Sequence, residues 1–265
     1  MRKNVGNKIY VLPVRVRITR IGVAICLLIL FALSLHYLDL DIARFMSRIS
    51  NFPRIARLFM QFNTSMLLPG FGQFVVSFLM GFVGLVLGGV VAVPLAFLAA
   101  ENIAPYRPLA VCIKAYVSIV RAVPSLVIIL MVVAAVGLGH TTGVVGLTIS
   151  SMGYLTKAFI ATIEEQDQSI ILSMRTTGAS WFQVVIHGLL PAVITGFLAW
   201  GAMRLEMSVA ESISLGVVGA GGIGALLSRA IRGFDYASIS VIICIIFVCM
   251  FLLEAAVKQV KRKLV

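Results

Sequence analysis

The sequence has few charged residues. Of 265 residues, 12% are charged, whereas a soluble globular domain carries about 25%. Apolar residues make up 60% of the chain, and the mean hydropathy is +1.07. Polar side chains are too few to cover a globular surface, which excludes a soluble domain and indicates that lipid is part of the solvent.

The sequence also lacks a Walker A loop and the common metal-binding motifs. It contains no Gly-Lys dipeptide and therefore no Walker A loop, so the chain itself is not expected to hydrolyse ATP in that manner. It has no C-x-x-C or H-E-x-x-H motif and no paired histidines, so no cofactor or metal is expected. Its four cysteines lie in apolar runs and are predicted to be buried thiols: Cys26, Cys112, Cys244 and Cys249.

Six apolar runs have about the length that a membrane helix needs. They predict an all-α membrane protein with about six transmembrane helices. The runs are Ile21–Leu38, Phe74–Ala100, Leu109–Val136, Val144–Ile163, Pro191–Ser212 and Ala237–Val257. The first run, 21–38, is predicted to be a retained anchor because no A-x-A cleavage site follows it. In the second run, Gly81, Gly84 and Gly88 are spaced so that neighbouring helices can approach closely.

Basic residues are concentrated at both ends of the chain. The net charge is +12, and ten of the 22 Lys and Arg residues lie in the tails 1–20 and 258–265. Because Lys and Arg collect on the cytoplasmic side, both tails are predicted to be cytoplasmic, which an even number of spans allows. Nucleic-acid binding is not expected, since these residues lie outside any polar domain. The connections at 101–108 and 164–190 then face the cytoplasm.

The outward segment 39–73 alternates arginines with apolar residues. Arg44 and Arg48, and then Arg54 and Arg57, are spaced three or four apart, which places them on one helical face. Two interpretations fit this pattern. The segment is either an amphipathic element on a lipid surface or a plain surface loop.

The connection 164–190 has the signals of two short helices separated by a corner. Asp167 is predicted to cap the first helix, which ends near Arg175, and Gly178 fits the left-handed residue after it. Ser180 and Gln183 form a capping-box pair for a second short helix, and Pro191 then starts the next span. The corner presents apolar side chains that either dock a partner or fold back onto the bilayer: Ile170, Ile171, Trp181 and Phe182.

A last motif, in the outward connection 213–236, formally satisfies G-x-G-x-x-G. Its glycines are Gly219, Gly221, Gly222 and Gly224. A dinucleotide site needs a preceding strand, a following helix and an acid about 20 residues on. This motif lies between two membrane spans instead. We therefore predict structural glycines in a broken helix or a tight turn.

The corner resembles the coupling loop of ABC importer permeases. Thr177-Gly178-Ala179-Ser180, followed after ten residues by Leu190-Pro191, matches the family's Gly and Leu-Pro positions. Leu172-Ser173-Met174 replaces the family's Glu-Ala-Ala start. The resemblance covers about 74–257 and implies a type I (MetI-like) permease core. It also implies cytoplasmic ATPase subunits that use ATP and Mg²⁺, an extracytoplasmic binding protein, and a second permease that is a copy or a paralogue.

Other stretches resemble the phosphonate branch of this family. They are Arg121-Ala-Val-Pro124, Arg204-Leu-Glu206 and Leu215–Gly224. The implied substrate is phosphonate or a related phosphorus oxyanion such as phosphite. An ABC permease for an amino acid or betaine and an ion-coupled secondary transporter remain the alternatives.

A few charges fall inside predicted spans, where each costs roughly 2.5–3.5 kcal/mol at a helix centre. They are Arg121, Arg204, Glu206 and Glu211. One interpretation is that they line the route of an anion, and the other is that they form ion pairs between helices. Arg204 and Glu211 are seven apart and should share a helical face, whereas Glu206 should point elsewhere. For Lys114 and Lys157 the structural interpretation is preferred.

Overall fold

The structure is a computed structural model that describes residues 14–38, 41–49 and 51–264. Residues 1–13 of the predicted basic tail lie outside this description. The described residues form helices and short connections and contain no strand, so the predicted all-α class is confirmed. The chain divides into two compact units, Met1–Ala56 and Arg57–Val265.

The first unit contains the predicted anchor and the arginine-rich segment. Its helices are α1 (Val14–Tyr37), α2 (Ile42–Ile49) and the first part of α3 (Phe52–Phe59). Of the two interpretations left open for this segment, the helices α2 and α3 favour the amphipathic element over the plain loop. In α2 the apolar side chains of Phe45 and Ile49 are exposed. That these helices lie on a lipid surface stays a prediction.

The second unit is a bundle of helices. They are α4 (Leu67–Ala99), α5 (Arg107–Ala122), α6 (Ser125–Val136), α7 (His140–Glu164), α8 (Gln168–Thr176), α9 (Trp181–Gln183), α10 (Leu190–Leu215), α11 (Gly222–Arg232) and α12 (Tyr236–Leu264). Across both units, the described residues contain five helices that are long and apolar enough to cross a membrane. The bent pair α5 and α6 provides a sixth span if it counts as one.

The predicted third span, Leu109–Val136, is not one continuous helix. It is broken into α5 and α6, which meet at an angle of 90°. Pro124 causes the break because a proline disfavours helical conformation in the residue before it. Val123 accordingly adopts an extended conformation, with φ −86° and ψ 125°.

The predicted second short helix begins where expected, after Ser180, but it does not end before the next span. α9 continues without a break through a π-helical turn, Val184–Leu189, into α10. In this turn the Leu190 amide bonds to the carbonyl of Val185, five residues back. The wider turn relieves the crowding that Pro191, which lacks an amide hydrogen, would cause inside a regular helix. Pro191 lies in the first turn of α10, as predicted, although the chain enters α10 from a helical turn.

Two further expectations differ from the structure. The connection 213–236 contains an amphipathic helix, α11, which the sequence analysis did not predict. The cysteines are free thiols, but Cys26, Cys112 and Cys244 are exposed and only Cys249 is half-buried. The reason is that an apolar run in a membrane helix places part of its surface toward lipid, so apolar surroundings in the sequence do not imply a protein core.

The second unit has two ends, the corner end and the glycine end. At the corner end, the Glu101 amide donates to Glu164, and the Trp181 indole donates to the carbonyl of Ile103 at 2.8 Å. At the opposite, glycine end, His140 bonds to the carbonyl of Ala220. The connections that were predicted to face the cytoplasm therefore share one end of the bundle.

Glycines of α4 bring α7 and α10 together near the middle of the bundle. A Cβ at Gly84 would lie 2.7 Å from the Cβ of Leu147, and one at Gly88 would lie 2.8 Å from the backbone of Met152. Gly81 approaches the backbone of Val209 on α10 in the same way. The close contact predicted from their spacing is present, and it packs the α7 and α10 positions that carry the polar groups described next.

Candidate functional site

Arg204 lies at the centre of the bundle, where α7 and α10 pack together. Its Nη1 and Nη2 donate to the two carboxylate oxygens of Glu211 at 3.1 and 2.8 Å. Nη2 also donates to Ser150 Oγ at 2.9 Å, and Nε donates to Ser151 Oγ at 3.1 Å. The side chain is 2% exposed. Arg204 and Glu211 therefore share one helical face, as their spacing predicted.

This arrangement explains how a guanidinium is tolerated at this depth. A buried charge is costly unless it is paired and its hydrogen bonds are satisfied. The pair with Glu211 is bidentate, which is the geometry in which arginine binds carboxylate best. The pair lies within α10, and the two serines connect it to α7. The interpretation that Arg204 forms structural bonds between helices thus has a geometric basis.

Tyr154 on α7 lies close to two arginines. The ring centroid is 5.5 Å from Arg204 Cζ and 5.9 Å from Arg121 Cζ, within cation–π range. Trp200 packs edge-on against the same ring. Arg121 is exposed in the last turn of α5. The tyrosine therefore links two predicted pathway residues. It was not predicted to be a site residue, because a single tyrosine in an apolar run does not indicate a function.

Glu206 is not part of this cluster. It lines a groove of about 450 Å³ between α10 and α12, together with Ile246, Met250 and Glu254. Its position two residues from Arg204 turns its side chain to another face of α10, as predicted. The structure thus brings Arg121, Arg204 and Glu211 together and leaves Glu206 apart.

The glycine segment after α10 forms the predicted tight turn. Gly219, Gly221 and Gly222 have φ of +110°, +93° and +69°, which residues with a Cβ rarely adopt. A Cβ on Gly224 would overlap the carbonyl oxygen of Ile213. The turn that follows α10 therefore depends on bare backbone at these four positions.

Side chains from other helices hold this turn at the glycine end. Ser77 of α4 accepts a hydrogen bond from the Ile223 amide at 3.1 Å, and its carbonyl accepts one from Ser212 at 2.8 Å. His140 Nδ1 lies 2.9 Å from the carbonyl of Ala220. The turn is thus attached to both α4 and α7.

The corner contains the predicted caps. Asp167 Oδ1 accepts the Ser169 amide at 2.9 Å, and hydrogen bonds from the backbone and side chain of Ser169 lower the pKa of that carboxyl. Gly178 follows α8 at φ +82°. Ser180 and Gln183 form a capping box, in which the Ser180 amide donates to Gln183 Oε1 at 2.7 Å.

The exposed face of the corner differs from the prediction. Ile171 is buried, Ile170 and Trp181 are half-buried, and the exposed apolar side chains are Leu172 and Phe182. Trp181 is drawn inward by its hydrogen bond to Ile103. The remaining predicted coupling residues divide between exposed positions (Arg175, Thr177, Gly178, Ser180 and Pro191) and half-buried ones (Ala179 and Leu190).

A second charged cluster at the corner end was only partly foreseen. Lys114 Nζ lies 2.8 Å from Glu101 Oε1 and 3.0 Å from Glu164 Oε1. The preferred interpretation of Lys114 as an ion-pair residue is therefore correct. The hydrogen bond and charge of Lys114 lower the pKa of Glu101. The sequence did not indicate the partners because they lie 13 and 50 residues away.

No group of three or more His, Cys, Asp or Glu residues in the described part of the chain is placed to hold a metal ion. The groups that the structure assembles are guanidinium, ammonium, hydroxyl and carboxylate groups. Arg121 and Lys157 are exposed cations beside these clusters. Such an arrangement can bind an anion through charge-assisted hydrogen bonds and transfer it from one cation to the next.

Comparisons with known proteins agree with this architecture. Residues 92–265 match the family described as "Binding-protein-dependent transport system inner membrane component". The phosphate-import permease protein PhnE of Mycolicibacterium smegmatis is 34% identical over 186 residues, 70% of this chain and 35% of that protein. The phosphite transport system permease protein PtxC of Stutzerimonas stutzeri is 33% identical over 176 residues, 66% of this chain and 64% of that protein.

The chain thus spans about a third of the length of the first relative and just under two thirds of the second. Among solved structures, an inward-facing structure of the MetNI methionine ABC transporter matches with a TM-score of 0.65 at 23% identity, covering 77% of this chain and 99% of that one. This likeness shows the fold, a MetI-like permease core. The chain is a member of the binding-protein-dependent transport system inner membrane component family.

Proposed function

We propose that this chain is the membrane-spanning permease subunit of an ATP-driven importer for phosphonate or a related phosphorus oxyanion, such as phosphite or a phosphate ester. The names of the two relatives support this substrate class. The observation that carries the proposal is the pair of guanidinium groups, Arg204 and Arg121, that both lie within 6 Å of the Tyr154 ring centroid. Arginine is suited to tetrahedral oxyanions because its donors can bind two oxygens at once.

Within this cluster, Arg121 carries the attraction for the anion. Glu211 neutralises Arg204, so the excess positive charge at this depth comes from Arg121, which is exposed. A positive group at the wall of a low-dielectric cleft raises the local concentration of an anion. The buried pair Arg204–Glu211 holds Tyr154 in position and joins α7 to α10. The anion passes along this surface.

Separate subunits supply the energy in this proposal. Cytoplasmic ATPases bind ATP and Mg²⁺ and contact the corner around Gly178, where Leu172 and Phe182 are exposed. An extracytoplasmic binding protein delivers the substrate at the glycine end, and a second permease, a copy or a paralogue, completes the route. Closure of the ATPases tilts the helices between inward-facing and outward-facing arrangements. The chain resides in the inner membrane with both termini cytoplasmic, as the basic tails favour.

The test is reconstitution of the permease with its ATPase and binding protein in liposomes. Methylphosphonate and phosphite are expected to stimulate ATP hydrolysis and to accumulate inside, whereas methionine and betaine are not. Arg121→Gln should reduce oxyanion uptake, and the matched change Lys258→Gln in the C-terminal tail should not. Stimulation by methionine or betaine alone would establish the rival solute class. Failure of any ATPase to bind would reject the importer itself.

A further inference from the structure

Three basic residues of α5 lie on one face, seven residues apart. They are Arg107, Lys114 and Arg121. Seven residues are two helical turns, or about 10.5 Å along the axis. This face leads from Tyr154 in the middle of the bundle to the connection 100–106 at the corner end.

Two neighbouring cavities follow the same line. The first, of about 240 Å³, is lined by Lys114, Ser118, Lys157 and Glu164 among others. The second, of about 430 Å³, is lined by Glu101, Arg107 and Lys114 among others. Lys114 therefore lies between the two cavities and lines both.

The first cavity is close to the arginine–tyrosine cluster. Lys157 lies three residues after Tyr154 on α7, so both side chains occupy one face of that helix. Lys157 is exposed, and Arg121 Cζ lies 5.9 Å from the Tyr154 ring centroid. Positive groups thus occur at every step from Arg204 to Arg107.

Lys114 is held by two carboxylates. Its ammonium bonds to Glu101 Oε1 at 2.8 Å and to Glu164 Oε1 at 3.0 Å, and the latter oxygen also accepts the Glu101 amide at 2.9 Å. The two carboxylates offset the positive charge of Lys114. An anion that reaches Lys114 must compete with them, so it binds weakly and can leave.

We infer that these two cavities form a relay through which the transported oxyanion is released at the corner end. The anion passes from Arg121 to Lys157, displaces Glu164 and Glu101 from Lys114 for a short time, and leaves beside Arg107. This inference rests on the proposed function, and it adds the release path and its residues. Each transfer exchanges one charge-assisted hydrogen bond for another.

Lys157→Gln is the first test, in the complete transporter reconstituted in liposomes with methylphosphonate. Uptake is expected to fall about tenfold, since a charged hydrogen bond is lost. ATP hydrolysis stimulated by the binding protein should persist, because Lys157 lies on α7, outside the corner connection 164–190. Lys157→Arg should restore uptake, and Lys258→Gln should match the wild type. Wild-type uptake by Lys157→Gln, while the wild type imports methylphosphonate, would overturn the relay and leave the proposed function intact.

Glu164→Gln tests the competition at Lys114. Inorganic phosphate is titrated by calorimetry into the ATP-free complex in nanodiscs. The variant should bind phosphate about tenfold more tightly than the wild type and import more slowly, because the anion no longer meets a competing carboxylate. Unchanged or weaker binding would contradict the relay. If the transporter imports only methionine or betaine, the proposed function fails. Phosphate binding that is lost in Lys157→Gln would still show that the two cavities bind an anion, and its absence would reject the relay as well.

A lipid headgroup has the same phosphate chemistry as the free anion. Nanodiscs of phosphatidylcholine and of phosphatidylglycerol distinguish the two sources. Release of free anion predicts equal phosphate affinity in both lipids. Phosphate binding that disappears in phosphatidylglycerol, together with uptake that is unaffected by Lys157→Gln, would assign the cavities to lipid and reject the relay.

Discussion

Arg204 and Glu211, two turns apart on α10, form a bidentate ion pair with N–O distances of 3.1 and 2.8 Å inside the helix bundle. The arginine is almost fully buried, and the glutamate is 22% exposed. Each group is tolerated at this depth because the other is present. Single and paired substitutions should therefore have very different effects.

Glu211→Gln should lower the free energy of unfolding by about 3–5 kcal/mol, because it leaves the Arg204 charge buried without a counter-ion. The double change Arg204→Met with Glu211→Gln should cost less than Glu211→Gln alone. Unfolding in detergent, analysed as a double-mutant cycle, measures both values. Equal losses for the single and double variants would show that the pair is not the source of the effect.

Gly224→Ala should destabilise the protein by about 1–3 kcal/mol, since an added Cβ would overlap the carbonyl oxygen of Ile213. Gly201→Ala in α10 is the matched control, because a Cβ there meets nothing within 4 Å and alanine favours helix. Thermal unfolding of both variants in one detergent is the measurement. Equal stability of the two variants would contradict the close approach at the glycine end.

Gly178→Ala tests backbone conformation without a steric clash. The residue has φ +82°, and an added Cβ would meet nothing within 4 Å. The left-handed conformation should cost alanine about 1–2 kcal/mol, and Gly178→Asn should cost less because asparagine tolerates it. Hydrogen exchange of the α8 amides reads the local cost. If alanine and asparagine behave alike, the strain is not the cause.

The caps of the corner were predictable from the sequence because capping depends on residues within a few positions. Asp167, Gly178 and the pair Ser180–Gln183 all occupy the predicted roles. The same locality explains the tight turn at Gly219–Gly224. Such features depend on hydrogen bonds and backbone conformations within a few neighbouring residues, so the local sequence is enough to predict them.

Contacts between distant segments were not predictable in the same way. Lys114 pairs with Glu164, which is 50 residues away in the sequence. Tyr154 becomes part of the site only because the fold brings Arg121 and Arg204 to its ring. The span at 109–136 was predicted from its apolar composition, which is the same for a straight helix and for one that is bent at Pro124. A membrane helix also buries apolar residues in lipid, so hydropathy did not separate the core from the lipid-facing surface.

Trp181→Phe should weaken the link between the corner and the connection 100–106. It removes the indole donor to Ile103, which lies 2.8 Å away, and keeps most of the ring packing. A loss of about 0.5–1.5 kcal/mol is expected, along with less ATP hydrolysis in response to the binding protein. Trp200→Phe, which removes an indole bond to Thr162 deeper in the bundle, should cost similar stability and preserve this response. A preserved response in Trp181→Phe would exclude the link.

The cap at Asp167 should make α8 sensitive to acid. Hydrogen bonds from Ser169 lower the pKa of this carboxyl below its ordinary value of 3.8. A lowered folded-state pKa contributes stability that is complete above the unfolded value and is lost as the pH falls through the folded value. Protection of the Ser169 amide, corrected for intrinsic exchange, should therefore fall only below about pH 3.8. Asp167→Asn retains a capping oxygen that does not titrate. The same acid-dependent loss in that variant would show that another group, and not Asp167, controls the start of α8.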